Sequence, residues 1–367
     1  MIRPTPRIEV DLSKVAYNAK RIIELYRSKG IEIMGVTKGV GGCAEIAHLL
    51  CEQGIEMLAD TKLQNLKKMK QVGVKAAFVL LRTPSLSEAA AVVRVADISM
   101  NTELKVMEAL SAAAVEQKLV HKVILMVEMG DLREGLMPAD LEETIRAGIL
   151  LEGIKITGIG ANFACFGGIR PNQEKMIELS MLAERMEAKF SLSFSCITGG
   201  NSGNYHWFTA ADDTAKINNL RIGESIYLGC ETLDREEIPG LYTDAFTLYA
   251  EVIEVKTKPS KPYGDAGQDV AGNYPQFEDE GLMRRAIVAV GSQDAAAAGL
   301  KPKIDADILG SSSDHLILNA KSTGLTVGEE VAFQLNYSAL LSLMTSSYIS
   351  KTYIGSENFS DEQYSAG

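Results

Sequence analysis

The 367-residue sequence predicts an α/β fold, a TIM (β/α)8 barrel followed by a C-terminal, mainly β domain. Short apolar segments of strand length alternate with helix-length segments from residue 31 to residue 222. The alternation contains eight strands, the number that closes such a barrel. After about residue 239 short alternating segments stand between turn residues, which indicates β-structure with little helix.

The predicted barrel strands are residues 31–37, 55–59, 76–81, 96–100, 122–128, 153–161, 194–198 and 219–222. Before them, Asp11 or Ser13 is suited to cap a first helix that runs to about residue 29. A doubly wound open sheet is the alternative fold, but it usually has fewer strands and often a GxGxxG fingerprint after the first one. That fingerprint is absent from this sequence, so the barrel is favoured.

The change of pattern also predicts the domain boundaries. Residues 12–236 form the barrel, residues 237–355 form the β domain together with a strand in residues 1–11, and the polar residues 356–367 form a flexible tail. Strands of the β domain are predicted at residues 7–11, 247–256, 285–290, 307–309, 316–319 and 330–336, with a helix at residues 339–345.

The composition excludes several classes of protein. The net charge of −11, without a long basic run, argues against nucleic-acid binding. No apolar run approaches the roughly 18 residues of a membrane span, and the N-terminus lacks the apolar core of a secretion signal. Five scattered cysteines without CxxC spacing favour reduced thiols and a cytoplasmic location. The four histidines are far apart, so no metal site is predicted.

Lys38 ends the first predicted barrel strand and is followed by a glycine-rich loop. Lysine is rarely buried without a partner, and this end of a barrel strand is where the fold places its chemistry. Lys38 is therefore a candidate for a Schiff base with a carbonyl cofactor or substrate. The alternative is that Lys38 only reaches solvent at the end of its strand.

The loops that follow other barrel strands support the chemical interpretation. Residues 130–133, 162–165, 200–203 and 221–224 follow the fifth to eighth strands, and the last two loops are the usual phosphate site of this fold. A lysine facing a phosphate site suits pyridoxal 5'-phosphate better than a sugar phosphate, because Arg221 then has a role beside the pyridine nitrogen. Ser202 alone is as compatible with a turn residue, and Arg221 alone with a surface ion pair.

Four motifs carry a resemblance to a known family: V-T-K-G at residues 36–39, E-M-G-D-L-R-E-G at 128–135, G-G-N-S-G at 199–203 and R-I-G-E-S-I-Y-L-G at 221–229. Together they resemble the fold-type III pyridoxal-phosphate enzymes, the alanine-racemase-like proteins, over nearly the whole chain. The strings G-D-L-R-E-G, L-G-S-S-S-D-H-L-I-L and L-N-Y-S-A-L-L-S-L-M-T-S are most similar to the ornithine and lysine racemase branch.

The resemblance implies roles for individual residues. Lys38 is implied to hold the cofactor, and Arg133 to orient it and to approach the substrate carboxylate. Asn162 stands where alanine racemases carry a histidine after the sixth strand. The remaining residues implied to bind the cofactor are Ser202, Arg221, Gly223, Glu224 and Tyr348.

The second catalytic base is the main departure from the family. Alanine racemases carry a tyrosine in a G-Y-A-D-G segment, and the corresponding stretch here is K-P-Y-G-D-A-G-Q-D at residues 261–269. Asp265 aligns with the base, with Tyr263 as the second candidate. In the family this group comes from the partner subunit, which implies a homodimer with a shared active site.

The implied activity is the interconversion of the L- and D-forms of a basic amino acid, ornithine or lysine, by two-base α-proton exchange. The alternatives are an alanine or broad-specificity racemase, a pyridoxal-phosphate-binding carrier or regulator without turnover, and a pyridoxal-phosphate lyase. The β domain of about 120 residues argues against the carrier, which resembles single-domain members of the fold. Lyases of this kind usually need a metal site, for which the sequence has no suitably spaced His/Cys pair.

Overall fold

A computed structural model describes residues 4–268, 272, 274 and 276–355. The chain divides into two compact units, Val15–Thr243 and Met1–Lys14 with Asp244–Gly367. The boundary expected between residues 236 and 237 stays a prediction, and the tail expected at residues 356–367 lies outside the described residues.

The unit Val15–Thr243 contains a closed barrel of eight parallel strands in sequential order, as the sequence predicts. The strands are β2 (Glu32–Val36), β3 (Met57–Asp60), β4 (Ala77–Leu80), β5 (Ile98–Asn101), β6 (His121–Val127), β7 (Ile154–Ala161), β8 (Cys196–Asn201) and β9 (Asn219–Ile222). Pairing of β2 with β9 closes the ring, with Met34 opposite Arg221. The first and last strands thereby become neighbours, and their ends lie side by side.

Nine helices accompany these strands among the described residues: α1 (Leu12–Arg27), α2 (Ala44–Glu52), α3 (Leu63–Gln71), α4 (Ala89–Val95), α5 (Leu104–Glu116), α6 (Leu141–Gly148), α7 (Gln173–Phe190), α8 (Tyr205–Ala210) and α9 (Glu224–Leu228). The side chains at their starts explain two of the boundaries. Asp11 Oδ1 accepts a hydrogen bond from Lys14 N at 3.2 Å, and Asn172 Oδ1 accepts one from Lys175 N at 2.9 Å. These carboxylate and amide oxygens satisfy backbone donors that the first turn leaves open.

Apolar side chains from several strands fill the interior of the barrel. The buried cluster consists of Met34, Val36, Ala59, Val79, Met100, Ile124, Met126 and Cys196. Burial of each large apolar side chain contributes about 1.5–3 kcal/mol, so this packing is a major source of barrel stability. It also fixes the strands whose C-terminal ends carry the polar residues described below.

The unit Met1–Lys14 with Asp244–Gly367 contains an eight-stranded sheet. Its strands are β1 (Arg7–Asp11), β10 (Phe246–Pro259), β11 (Leu282–Val288), β12 (Leu300–Pro302), β13 (Asp307–Ser311), β14 (Leu316–Asn319), β15 (Glu330–Leu335) and β16 (Ser350–Ile354), and its helix is α10 (Tyr337–Thr345). The order is β12-β15-β10-β11-β14-β13, with β1 beside β10 and β16 beside β1. This sheet confirms the predicted mainly β domain.

Two strands of this sheet are missing from the sequence prediction. β12 has only three residues, which is too short for an alternating pattern to be recognised. β16 pairs in parallel with β1, which lies at the opposite end of the chain, so its formation depends on a long-range partner. Among the described residues, no helix has the length and apolar character needed to cross a membrane.

Candidate active site at the barrel mouth

The C-terminal ends of the eight strands meet at one rim of the barrel, because all eight strands are parallel. Polar residues predicted from the sequence follow these ends. Lys38 comes after β2, Arg133 lies in the loop after β6, Asn162 follows β7, Ser202 follows β8, and Arg221 belongs to β9. The barrel therefore brings together side chains that are up to 183 positions apart in sequence (221 − 38).

The position of Lys38 is fixed by a turn and by a buried carboxylate. Lys38 opens a 3-10 turn, Lys38–Val40, that ends at Gly41 in the left-handed region with φ +62°. The preceding residue, Thr37, donates its hydroxyl to Asp60 Oδ2 at 2.8 Å. Asp60 is fully buried, and it also accepts a hydrogen bond from Lys62 N at 2.8 Å. These bonds tie the end of β2 to the end of β3 and set where the lysine side chain starts.

Lys38 has a lowered pKa, and burial of the ammonium is the largest cause. Arg133 and Arg221 lower the pKa of Lys38 further by charge repulsion, while Cys165 and Asp60 act in the opposite direction. More of the amine is therefore neutral near pH 7 than for an exposed lysine. A neutral amine is the form that attacks a carbonyl or accepts a proton.

Arg221 is buried beneath the rim and makes three hydrogen bonds. It donates to Thr198 Oγ1 at 2.7 Å, to the carbonyl of Ala161 at 2.7 Å and to Asn162 Oδ1 at 2.8 Å. Burial lowers the pKa of Arg221 to about 10, so the guanidinium stays charged at neutral pH. The result is a fixed cation inside the barrel.

Asn162 connects Arg221 to a second arginine through a carboxylate. Its Nδ2 donates to Glu134 Oε1 at 3.3 Å, while its Oδ1 accepts from Arg221. Glu134 pairs with Arg133, whose Nε lies 2.5 Å from Glu134 Oε2. Arg133 also contacts Cys165 Sγ through Nη1 at 2.9 Å. Five side chains, from the loops after β6 and β7 and from β9, thus form one polar chain.

Two buried carboxylates shape these loops. Glu128 accepts hydrogen bonds from the backbone N–H groups of Gly130, Leu132 and Arg133, at 2.6, 3.0 and 3.2 Å. Asp131 accepts three more from the N–H groups of Cys165, Phe166 and Gly167, at 3.2, 3.0 and 3.1 Å. Glu128 and Asp131 therefore fix the backbone conformation around Arg133 and Cys165.

The loop after β8 is a compact turn that meets the loop after β9. Asn201 and Asn204 cap each other, with Asn204 Oδ1 accepting from Asn201 N at 2.9 Å and Asn201 Oδ1 accepting from Gly203 N at 2.8 Å. Ser202 is buried, and its Oγ accepts from Ser225 N at 3.3 Å. The predicted Ser202 and the backbone around Gly223 are thus adjacent, in a loop pair rich in backbone N–H groups.

Glu224, which the resemblance assigns to the cofactor, directs its side chain elsewhere. The carboxylate accepts from Thr232 Oγ1 at 3.2 Å and pairs with Arg235. Only the backbone of Glu224 is left for the role that the resemblance implies. Tyr263, Asp265 and Tyr348 belong to the other compact unit, where all three are exposed.

Three polar residues that help to hold the rim together are absent from the sequence prediction. Glu134 is one of them, although it adjoins Arg133 in the same motif. Thr198 and Asp60 are the others: Thr198 is the last residue of a predicted strand and Asp60 directly follows one, and these are positions where a barrel places its functional side chains. Each has at least one partner that follows or belongs to another strand, namely Asn162, Arg221 and Thr37, and these pairs could not be assigned without the fold.

A second cluster of polar residues lies away from this chain. Ligand atoms of His206, Glu231 and Asp234 fall within 4.8 Å of one another. Glu231 is engaged by three backbone N–H groups, of Leu233 at 2.7 Å, Asp234 at 2.6 Å and Glu236 at 3.1 Å. Asp234 pairs with Arg170 through both carboxylate oxygens, at 2.5 and 2.7 Å. These hydrogen bonds and this ion pair indicate that Glu231 and Asp234 stabilise a turn.

The family model described as alanine racemase, N-terminal domain, matches residues 10–231. Ornithine racemase from Acetoanaerobium sticklandii is 41% identical over 350 residues, which are 94% of this chain and 99% of that protein. Lysine racemase from Thermotoga maritima is 37% identical over 351 residues, 95% of this chain and 98% of that protein.

Solved structures agree with the fold. The alanine racemase from Bacillus anthracis with bound L-Ala-P has a TM-score of 0.75 at 15% identity and covers 97% of both chains. The family match spans more than half of this chain, and the two curated relatives span nearly all of it. The chain belongs to the alanine racemase family.

Proposed function

We propose that this protein is a pyridoxal 5'-phosphate-dependent racemase of a basic amino acid, ornithine or lysine. Two relatives support this proposal, an ornithine racemase and a lysine racemase, which are similar to the chain over nearly its full length. The observation that carries it is a lysine with a lowered pKa at a barrel mouth that also holds two arginines. An alanine or broad-specificity racemase is the alternative activity, and a carrier without turnover is the alternative class.

The residues at the rim fit the proposed cofactor. Lys38 has an amine that is easily deprotonated, Arg221 is a buried cation with a fixed orientation, and Ser202 lies in a loop pair rich in N–H groups. We assign the cofactor to Lys38, Asn162, Ser202, Arg221, Tyr348 and the backbone of Gly223 and Glu224. When bound, pyridoxal phosphate withdraws electrons from the α-carbon of the amino acid and makes its proton acidic.

Lys38 is the proton acceptor on one face of the substrate. Burial and the two neighbouring arginines favour its neutral form, which is the form that can take the α-proton. Arg133 binds the substrate carboxylate, because a guanidinium matches the geometry of a carboxylate. Arg221, still charged at neutral pH, would disfavour a second positive charge on the pyridine nitrogen of a cofactor held beside it.

The opposite face of the substrate needs a second proton donor. One lysine cannot reach both faces, so racemisation requires another acid–base group. We assign this role to Asp265, with Tyr263 as the second candidate, and place it in trans from a second copy of the chain in a homodimer. Both side chains are exposed in the isolated chain, and Tyr263 is 90% accessible, so a second copy can approach them.

The enzyme is proposed to act in the cytoplasm, where its scattered cysteines stay reduced. Incubation of the purified protein with single L-amino acids, followed by chiral chromatography, tests the activity. We expect the D-isomer from ornithine or lysine at higher rates than from alanine. No D-isomer from any of the three would refute the racemase, and a cofactor absorbance band without turnover would favour the carrier.

A further inference from the structure

Glu134 stands between the two arginines of the barrel mouth and is the carboxylate to which both are linked. We propose that Glu134 is a positioning residue, which aims Arg133 at the substrate and, through Asn162, holds Arg221 in place. The expected effect of Glu134 on catalysis rests on the proposed racemase function, whereas its effect on the orientation of Arg133 and Arg221 does not. Glu134 has no assigned role in the resemblance on which the site was predicted.

The contact with Arg133 involves both carboxylate oxygens. Arg133 Nε lies 2.5 Å from Glu134 Oε2, and Arg133 Nη2 donates to Glu134 Oε1 at 2.6 Å. The remaining Nη1 donates to Cys165 Sγ at 2.9 Å. Two parallel bonds to one carboxylate fix the plane of a guanidinium more firmly than a single bond does. Glu134 therefore determines which way Arg133 points.

The contact with Asn162 follows from the inventory of donors and acceptors. An ionised carboxylate only accepts hydrogen bonds, and a guanidinium only donates them. An asparagine between the two must turn its Nδ2 to Glu134 and its Oδ1 to Arg221, as the structure shows at 3.3 and 2.8 Å. Without an acceptor at position 134, Asn162 Nδ2 loses its partner, and only Arg221 then fixes the orientation of the amide.

Glu134 also offsets the positive charges of Arg133 and Arg221 at the barrel mouth. Arg133 and Arg221 repel each other, and Arg133 lowers the pKa of Arg221, whereas Glu134 raises it. Arg133 and Glu134 are about one-third accessible, with side-chain exposures of 32% and 31%, so they line the open part of the rim. The negative charge of Glu134 reduces the repulsion between Arg133 and Arg221, which lie at the same barrel mouth as Lys38.

Cys165 reports the position of Arg133 in the full-length protein without any need for turnover. A guanidinium beside a thiol stabilises the thiolate, which is the form that iodoacetamide alkylates. E134Q keeps an acceptor oxygen for Arg133, whereas E134A removes it and releases the guanidinium. We expect Cys165 in E134A to be alkylated about threefold more slowly than in E134Q, because its thiolate then loses the hydrogen bond from Arg133 Nη1.

Mass spectrometry of the Cys165 peptide gives the rate, with Cys230 in the same digest as internal reference. The matched control is E142Q, since Glu142 also accepts from two cations, Arg146 at 2.8 Å and Lys189 at 2.7 Å, but on α6. E142Q should leave the alkylation of Cys165 unchanged. Equal rates in E134A and E134Q would overturn the proposal, since Arg133 would then be held without Glu134.

Steady-state kinetics provide the catalytic readout. Because Arg133 binds the substrate carboxylate before and during the reaction, its release should raise KM about tenfold with a smaller change in kcat. E134Q should lie between E134A and the wild type. An unchanged KM in E134A would contradict the positioning role. If the wild type shows no racemisation of any amino acid, the proposed function fails, and the alkylation rates still decide the role of Glu134.

Discussion

Arg221 Nη2 donates to Asn162 Oδ1 over 2.8 Å, and this bond couples the ends of two barrel strands, β9 and β7. The same Nη2 also donates to the carbonyl of Ala161 at 2.7 Å, while Nη1 reaches Thr198 Oγ1 at 2.7 Å. An exposed arginine could exchange such partners for water. Buried and bonded on both Nη atoms, Arg221 acts as a structural tie of the rim as well as a fixed positive charge.

Arg221→Lys keeps the positive charge but replaces a planar fork by a single ammonium. A lysine cannot satisfy all three acceptors, and each buried acceptor left unpaired costs about 1–3 kcal/mol. We expect urea denaturation to show a loss of about 3 kcal/mol in the free energy of unfolding. Arg146→Lys, at an exposed pair with Glu142, should cost less than about 1 kcal/mol. Equal costs at the two positions would show that the three contacts of Arg221 contribute nothing.

Lys38→Ala removes the amine that we assign to the covalent attachment of the cofactor and to proton transfer. We expect loss of the absorbance that a lysine-bound pyridoxal phosphate gives, loss of racemisation, and a folded protein by circular dichroism. Lys68→Ala on the exposed face of α3 serves as the control and should keep both the absorbance and the activity. If the absorbance persists in Lys38→Ala, another lysine holds the cofactor and the assignment of the site is wrong.

Gly200→Ala tests whether the loop after β8 contributes to the phosphate site. Gly200 has φ +139°, and a Cβ there would collide with Asn204 Oδ1, which caps the turn. We expect the affinity for pyridoxal phosphate, measured by absorbance titration, to fall about tenfold or more, equivalent to about 1.4 kcal/mol. Gly30→Ala is the matched control, with φ +74° and no heavy atom within 4 Å of the added Cβ. It should lose stability by about 1–2 kcal/mol without losing affinity.

His121 gives the barrel a dependence on pH that is independent of the active site. His121 is the first residue of β6, and its Nε2 lies 2.8 Å from Ser99 Oγ in β5. Burial lowers the pKa of His121 to about 4. In the unfolded chain a histidine titrates near pH 6.5, so between pH 6.5 and 4 only the unfolded state takes up the proton. Stability is therefore lost as the pH falls through this window, by about 3 kcal/mol at most.

His121→Gln should flatten that decrease, as measured by urea unfolding at a series of pH values. The exposed His206 supplies a control, because His206→Gln changes the number of histidines without changing a buried one. A decrease of the same size in His121→Gln would assign the acid sensitivity to the carboxylates instead.

The positions of the eight barrel strands could be predicted from the sequence, because each of them is a local apolar run. Lys38 and Arg221 could be found in the same way, since a parallel barrel places every strand end at one rim. The partners of these residues could not be predicted, because they depend on how loops fold against each other. Glu134 shows the difference: it is adjacent to Arg133 in sequence, but its second partner, Asn162, lies 28 positions away.

The identity of the second acid–base group can be settled by separating proton exchange from racemisation. Without the second group, Lys38 can still exchange the α-proton of one enantiomer with solvent, but it cannot deliver a proton to the other face. We therefore expect Asp265→Asn to abolish racemisation while deuterium from D2O still enters one enantiomer of the substrate, as detected by mass spectrometry after chiral separation.

Tyr263→Phe should leave both processes within about twofold of the wild type, because two neighbouring exposed side chains do not share this role. The opposite pattern would assign the base to Tyr263. If both variants racemise at the wild-type rate, the second proton comes from neither Asp265 nor Tyr263, and both assignments made from the G-Y-A-D-G segment fail.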